Sequence, residues 1–411
     1  RKAQRKPGGT MNFRSRLKNF ADSVALRLFL TIGLLVFGLY DLPVSWAKGR
    51  MVKHAMKSAE MGRESAGYYE GLIGGDDSAT GSLERAIVGQ PSDWVHFADS
   101  GVSQLVTNDI LQFILLPNVS RSLFGKQFTT NEFRLRDRPT TTEKPPGTIR
   151  IALLGASMDM GWGVATDKTY ENRLEDWLNA QAKARGDHRR FEILNFAVAA
   201  YSPTQRVVTY QRVARKFKPD MIFYATTLLD PRLTEIHLGD CLNNRVDLTP
   251  FPLLASTVAE SGFDPANLKR DPAGRWLEKN QVKKWRETFR DDLNQKILGS
   301  LVEAARHDHI PVVCLIIPRA GRNDLPHLRA AGVARQVQSA QAFNIPVWDL
   351  TDSFDHDDSG KLSVAEWDDH PNTRGHGLIY ADLVRHLLND PVRTDFGLSG
   401  HEQSPATDKL D

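Results

Sequence analysis

Ser157 and His370 are the two side chains whose types and placement could perform nucleophilic chemistry together. Ser157 follows an apolar run in Leu153-Leu154-Gly155-Ala156-Ser157-Met158-Asp159-Met160-Gly161-Trp162-Gly163-Val164. A serine where a strand turns into a helix presents its hydroxyl at the open edge of a sheet, and its own N–H can face the same reaction centre. Taken alone, such a turn is equally an ordinary helix cap. The second segment is Glu366-Trp367-Asp368-Asp369-His370-Pro371-Asn372-Thr373-Arg374-Gly375-His376, which leads into an amphipathic stretch at 378–388. An acid two residues before a histidine can hold one ring nitrogen while the other takes a proton from a serine. Without Ser157 the segment would read as a surface acidic turn; with it, the two form a candidate catalytic set.

In this order the segments resemble the first and last sequence blocks of the SGNH/GDSL hydrolases. The resemblance is to a membrane-anchored bacterial branch whose blocks read Gly-Ser-Ser or Gly-Asp-Ser, then Gly-Trp-Gly-Val, with a late Trp-Asp-x-His-Pro-Asn. It covers about 129–388 and includes Thr130-Asn131 and Leu135-Arg136-Asp137. It implies Ser157 as nucleophile, His370 as general base, and Asp368 as the group that fixes the imidazole tautomer. Many members carry the acid three residues before the histidine, where this chain has Trp367, so Asp369 and Glu366 stay open as alternatives.

The same resemblance implies an oxyanion hole built from the Ser157 N–H, an amide of the second block and a side chain of the third. The second block here is Asn195-Phe196-Ala197-Val198-Ala199-Ala200-Tyr201-Ser202-Pro203, with Ala200 where the family has glycine. A backbone donor survives that change if the local φ/ψ suits alanine. The third block should carry an asparagine, but the chain reads Phe223-Tyr224-Ala225-Thr226-Thr227-Leu228-Leu229-Asp230. Thr227, or Thr226, is then the expected substitute donor, unless two backbone amides act alone. A lost oxyanion donor costs about 2.7–4 kcal/mol of transition-state stabilisation. Two functions follow: a serine ester hydrolase or O-acyltransferase, or a catalytically weak SGNH-fold carbohydrate-binding or assembly protein.

A second motif precedes the histidine. Asp355-His356-Asp357-Asp358-Ser359-Gly360-Lys361-Leu362-Ser363-Val364-Ala365-Glu366 matches a calcium loop, with ligands at Asp355, Asp357, Ser359 and Glu366 and Gly360 at the turn. It lacks an entering helix, so an acidic turn competes with calcium; a bound ion would brace the loop holding His370. The resemblance itself implies no required cofactor. Elsewhere, His376 reads as a hydrogen-bonded packing residue, His307 and His309 as solvated, and Trp162 as shaping the turn beside Ser157 or lining a groove. Cys241 and Cys314 are too few for a disulfide framework, and Cys314 reads as a buried strand residue.

The elements that must position these residues are short apolar strands at 149–154, 191–196, 221–225, 311–317 and 345–350, alternating with amphipathic helices such as 170–182 and 330–342. That alternation predicts βαβ units around a parallel sheet buried on both faces. The fold class is α/β: a three-layer, doubly wound, flavodoxin-like sheet of SGNH hydrolase type, with an N-terminal membrane helix. Reactive residues belong at the carboxyl ends of its strands.

The 411 residues are 41% apolar and 25% charged, enough to bury a large core and too apolar for a disordered chain. The net charge of +3 gathers at the N-terminus, where eight Lys/Arg residues precede Leu28 against the single acid Asp22. This is a membrane-topology pattern, and no aromatic-basic stripe suggests nucleic acid. The expected organisation is a basic cytoplasmic segment at 1–27, a signal-anchor or cleaved signal peptide at 28–47, and a connecting region at 48–145 with helix at 51–69. An SGNH hydrolase-like domain at 146–392 and a polar, weakly ordered tail at 393–411 complete it. The domain would be tethered to a membrane and extracytoplasmic, periplasmic in a Gram-negative bacterium. Its partners would be the membrane and an acylated small molecule or polysaccharide.

Overall fold

In the computed structural model, residues 97, 100–269, 276, 279–320, 326–355, 357, 361–365, 368–399, 402 and 405 are described. The basic segment 1–27, the apolar segment 28–47 and the helix expected at 51–69 lie outside them. No helix among the described residues is long and apolar enough to cross a membrane.

Two antiparallel hairpins come first: β1 (Ser103–Leu105) with β2 (Phe113–Leu115), and β3 (Ser120–Leu123) with β4 (Lys126–Thr129). The expected strands then follow as β5 (Thr148–Leu154), β6 (Arg190–Asn195), β7 (Met221–Thr226), β8 (Val312–Ile316) and β9 (Val347–Asp349). They form one parallel sheet in the order β6-β5-β7-β8-β9. A third hairpin, β10 (Ser363–Ala365) with β11 (Asp368–Pro371), ends the strand list.

The helices are α1 (Ser157–Met160), α2 (Tyr170–Ala184), α3 (Pro203–Arg212), α4 (Asp230–Asn243), α5 (Pro252–Glu260), α6 (Lys279–Glu287), α7 (Arg290–His307), α8 (Pro326–Gln341) and α9 (Thr373–Asn389). Strand side chains alternate between two cores, as the pleat requires. Ala152, Leu154, Ile222, Tyr224, Val312 and Cys314 face a core shared with α3, α4 and α7. Ile151, Leu153, Met221, Phe223, Val313 and Leu315 face the other, shared with α2 and α9. Three layers result, and the sheet is hydrophobic on both sides.

Two boundaries need correction. The stretch expected only to connect, 48–145, contributes Phe97, Val102, Ile110, Phe113, Leu115, Phe128 and Leu135 to the first core. Phe113, Leu115 and Phe128 on its hairpins, with apolar residues of the flanking turns, pack into that core, so the segment covers the sheet rather than only linking to it. The expected tail begins with Phe396 and Leu398 packed in the second core, where Phe396 stacks on Phe191 with ring centroids 5.8 Å apart. Two apolar residues were enough to anchor a segment whose average composition is polar.

Candidate active site

Ser157 is the first residue of α1, immediately beyond β5. Gly155 is required there: an added Cβ would lie 2.2 Å from Asp159 Oδ2. Gly161 closes the helix in the left-handed region at φ 74°, where L-residues are disfavoured, and an added Cβ would meet Arg136 Nη1 and Thr169 Cγ2 at 2.5 Å each. Buried Arg136 donates from Nη1 to the Met160 carbonyl and from Nη2 to the Val164 carbonyl. One guanidinium therefore grips both ends of the Gly161-Trp162-Gly163 turn. Trp162 itself is buried in edge contacts with Phe97, Phe124 and Phe128. Of its two sequence readings, the structure supports the one in which it shapes the turn.

His370 lies on β11, which packs against α1 and enters α9 through Asn372, whose side chain caps the helix by accepting from the Gly375 N–H. Its Nδ1 is 2.5 Å from Asp368 Oδ1, and the same oxygen accepts the His370 backbone N–H at 2.9 Å. A carboxylate only accepts, so Nδ1 carries the proton and Nε2 presents its lone pair. That Nε2 is buried without a hydrogen-bond partner among the described residues. Ser157, 8% exposed, likewise spends neither its hydroxyl nor its N–H on any described group. The serine and imidazole share no hydrogen bond in this structure; such bonds tighten once substrate is bound.

Burial opposes a charge on His370, but the adjacent Asp368 carboxylate outweighs it, and the ring's pKa rises above its ordinary value. A general base must be neutral, so activity should fall as pH drops through this raised value. We expect the acid limb of a kcat/KM–pH profile to lie above the 6.5 of an unperturbed histidine and to move to lower pH in Asp368→Asn. A limb that stays in place would separate Asp368 from the base.

The other acid candidates resolve differently. The Asp369 carboxylate pairs with Arg319 on the loop after β8, and its carbonyl accepts the Ala320 N–H at 3.0 Å. It clamps the histidine strand to the loop after β8 and lies near the ring, adding to the raised His370 pKa, but makes no hydrogen bond to it. Glu366 lies outside the described residues. His376 is wholly buried, accepts the Tyr170 N–H at Nδ1 over 3.2 Å and stacks on the Tyr170 ring. Burial, with Arg136 nearby, pushes it down to about 3, so it stays neutral as a packing residue. His307 and His309 are exposed, and Cys241 and Cys314 are buried.

Ala200 follows β6 with φ at 64°, in the left-handed region, and is 1% exposed. The chain adopts here the conformation that glycine takes without cost, and an alanine in it is strained by about 1–2 kcal/mol. Sequence alone left that open. Thr227 needs a correction as the third oxyanion donor: its hydroxyl donates to Asp230 Oδ1 at 3.1 Å, and the Thr226 hydroxyl to Oδ2 at 2.7 Å. Asp230 also receives Arg206, at 2.5 Å on Oδ2 and 3.0 Å on Oδ1, with both side chains at most 1% exposed. Four donors converge on this buried carboxylate, and both threonine protons are spent there. Neither threonine hydroxyl is left to face an oxyanion, whereas the Ser157 N–H is given to no described group.

In the calcium-like loop, Asp355 is held by both Arg329 nitrogens at 2.7 and 3.0 Å, and Asp357 by Arg374 Nε at 2.7 Å. Arginine supplies the positive charge at both carboxylates. Ser359 and Glu366, the other expected ligands, lie outside the described residues.

No protein-family model matches the chain, and no curated protein does. Among solved structures, similarity is found to a protein of the G-D-S-L lipolytic family from Desulfitobacterium hafniense, at 15% identity, TM-score 0.34, over 57% of this chain and 98% of that one. The psychrotrophic esterase EstA from Pseudoalteromonas sp. gives 13% identity, TM-score 0.32, and 59% and 99% coverage. A catalytic mutant of Axe2, an acetylxylan esterase from Geobacillus stearothermophilus, gives 13% identity, TM-score 0.37, and 62% and 97% coverage.

Proposed function

We propose that this chain is a serine ester hydrolase or O-acyltransferase of the SGNH/GDSL type. The observation that carries the reading is the Asp368–His370 contact at 2.5 Å, which leaves an unpartnered Nε2 on a strand packed against the helix of Ser157. Ser157 Oγ attacks the ester carbonyl carbon as His370 Nε2 takes the hydroxyl proton. The carbonyl electron pair moves to the oxygen, where the Ser157 and Ala200 amides receive it. Collapse of the tetrahedral intermediate expels the alcohol, which leaves with the proton from His370. Water or a sugar hydroxyl then gives its proton to His370 and attacks the acyl-enzyme; collapse breaks the bond to Ser157 Oγ, which takes that proton back, releasing acid or a new ester. Nucleophile, base and oxyanion donors all come from the chain, and the proposed cycle calls on no cofactor.

The substrate class proposed is an O-acyl group on envelope or exported polysaccharide. It rests on the membrane-topology pattern of residues 1–47 and on the branch the sequence blocks resemble. A second reading, a weakly catalytic carbohydrate-binding or assembly protein, is favoured by one feature: the Thr227 hydroxyl turns to Asp230, which removes the expected third oxyanion donor. Labelling separates the two. A fluorophosphonate probe should phosphonylate Ser157 with loss of HF in the full-length protein; no adduct, or an adduct on another residue, would refute the esterase.

A further inference from the structure

We propose that Asp159 is a positioning residue for the oxyanion hole, holding the peptide that leads into Ser157 and tying that turn to the Ala200 loop through Asn195. The proposal rests on the esterase reading above.

Asp159 is 1% exposed and sits two residues after the nucleophile. Its Oδ2 accepts the Ala156 N–H at 2.7 Å, and its Oδ1 accepts the Tyr170 hydroxyl at 2.7 Å. The carboxylate thus lies against the Gly155–Ala156 peptide, close enough that only glycine fits at 155. The Ala156 N–H is turned into the protein, whereas the next one, on Ser157, is given to no described group. The separation of the two amides follows from which one the carboxylate takes.

The Asp159 carbonyl extends the same arrangement. It accepts Asn195 Nδ2 at 2.9 Å, while Asn195 Oδ1 accepts the Ala197 N–H at 3.0 Å. Asn195 is wholly buried, and its own N–H is held by Asp137 Oδ2 at 2.8 Å. One side chain therefore joins the turn that carries the first oxyanion amide to the start of the loop that carries the second. Ala200, at a left-handed φ of 64°, lies three residues beyond Ala197 in that loop.

A plain helix cap does not explain this placement. Caps are worth about 1 kcal/mol, and α1 is a single turn, whereas burying a carboxylate is costly unless fully compensated. Burial does push Asp159 above the ordinary carboxylate range, against the help of the Ala156 and Tyr170 hydrogen bonds. Orientation is the quantity with enough leverage, since a misplacement of about 1 Å at a reacting centre can cost 10²-fold in rate.

The test uses Asp159→Asn, which keeps the shape and loses one acceptor, and Tyr170→Phe, which keeps the ring on His376 and loses one donor. In the full-length protein we expect Asp159→Asn to lower kcat on an aryl acetate by about 10- to 100-fold with KM held within about twofold. Labelling of Ser157 by the fluorophosphonate should slow by the same factor. Tyr170→Phe should do the same by about 3- to 10-fold, and the acid limb of the pH profile, set by His370, should not move in either variant. Wild-type kcat and labelling in a folded Asp159→Asn protein would overturn the proposal, as would a change confined to KM. If that variant does not fold, Tyr170→Phe decides: wild-type kcat and labelling overturn it. Wild-type protein that takes no label at Ser157 would instead mean the esterase reading itself fails.

Discussion

On a short-chain aryl acetate, Ser157→Ala is expected to abolish turnover, and His370→Ala to lower kcat/KM by about 10²- to 10⁴-fold. The two residues act as one unit: without the imidazole the hydroxyl keeps its proton, and without the hydroxyl the imidazole has nothing to deprotonate. The double variant should therefore be no slower than the worse single one. The structure makes the result specific to His370, because Asp368 reaches its Nδ1, while His376 is neutral and buried against Tyr170. The corresponding variant His376→Gln should keep the profile's shape even if it loses stability. Equal rates for wild type and Ser157→Ala would remove the acyl-enzyme from the mechanism.

The largest effect on stability is expected from Asp230→Ala. It would leave the Arg206 guanidinium, 1% exposed, without its counter-charge, and the Thr226 and Thr227 hydroxyls without their acceptor. Breaking one side of a buried ion pair destabilises by about 3–5 kcal/mol, because the remaining charge stays desolvated. Urea denaturation of the single variant should show that loss. Adding Arg206→Met, which removes the stranded charge, should restore most of it, since a buried pair is often replaceable by apolar residues of similar volume. A loss below about 1 kcal/mol in Asp230→Ala would mean that Arg206 finds water or another partner. The pair sits at the carboxyl end of β7 and shapes the turn where a third oxyanion donor was expected.

Much of the framework was readable in the residue order. The five apolar runs became β5 to β9 to within two residues at each end, because a strand buried on both faces shows as a continuous apolar run whatever packs on it. Ser157 and the Asp368–His370 pair were readable for a different reason: their spacing around strand ends is local, and the backbone there has few ways to run. Among the N-terminal strands, the run 127–131 reads as a strand and overlaps β4, whereas β1 to β3 were not readable, since they are only three or four residues long and their pairing is set by the core they cover. Arg136 as the clamp on the Gly161–Gly163 turn was not readable, since it is one of several charged residues in Arg134-Leu135-Arg136-Asp137-Arg138 and nothing local says which carbonyls any of them will reach.

The same division runs through the site. From the sequence alone came the α/β class, the candidate nucleophile, the candidate base and the absence of the third-block asparagine, all properties of single segments. Only the tertiary structure chose Asp368 over Asp369, by turning one carboxylate to the ring and the other to Arg319. It alone spent the Thr227 hydroxyl on Asp230, set Ala200 at a left-handed φ and put Asp159 under the nucleophile turn. Each of these depends on which donors from distant segments reach a given oxygen first, and a hydrogen bond is decided by a few tenths of an ångström that residue spacing does not encode.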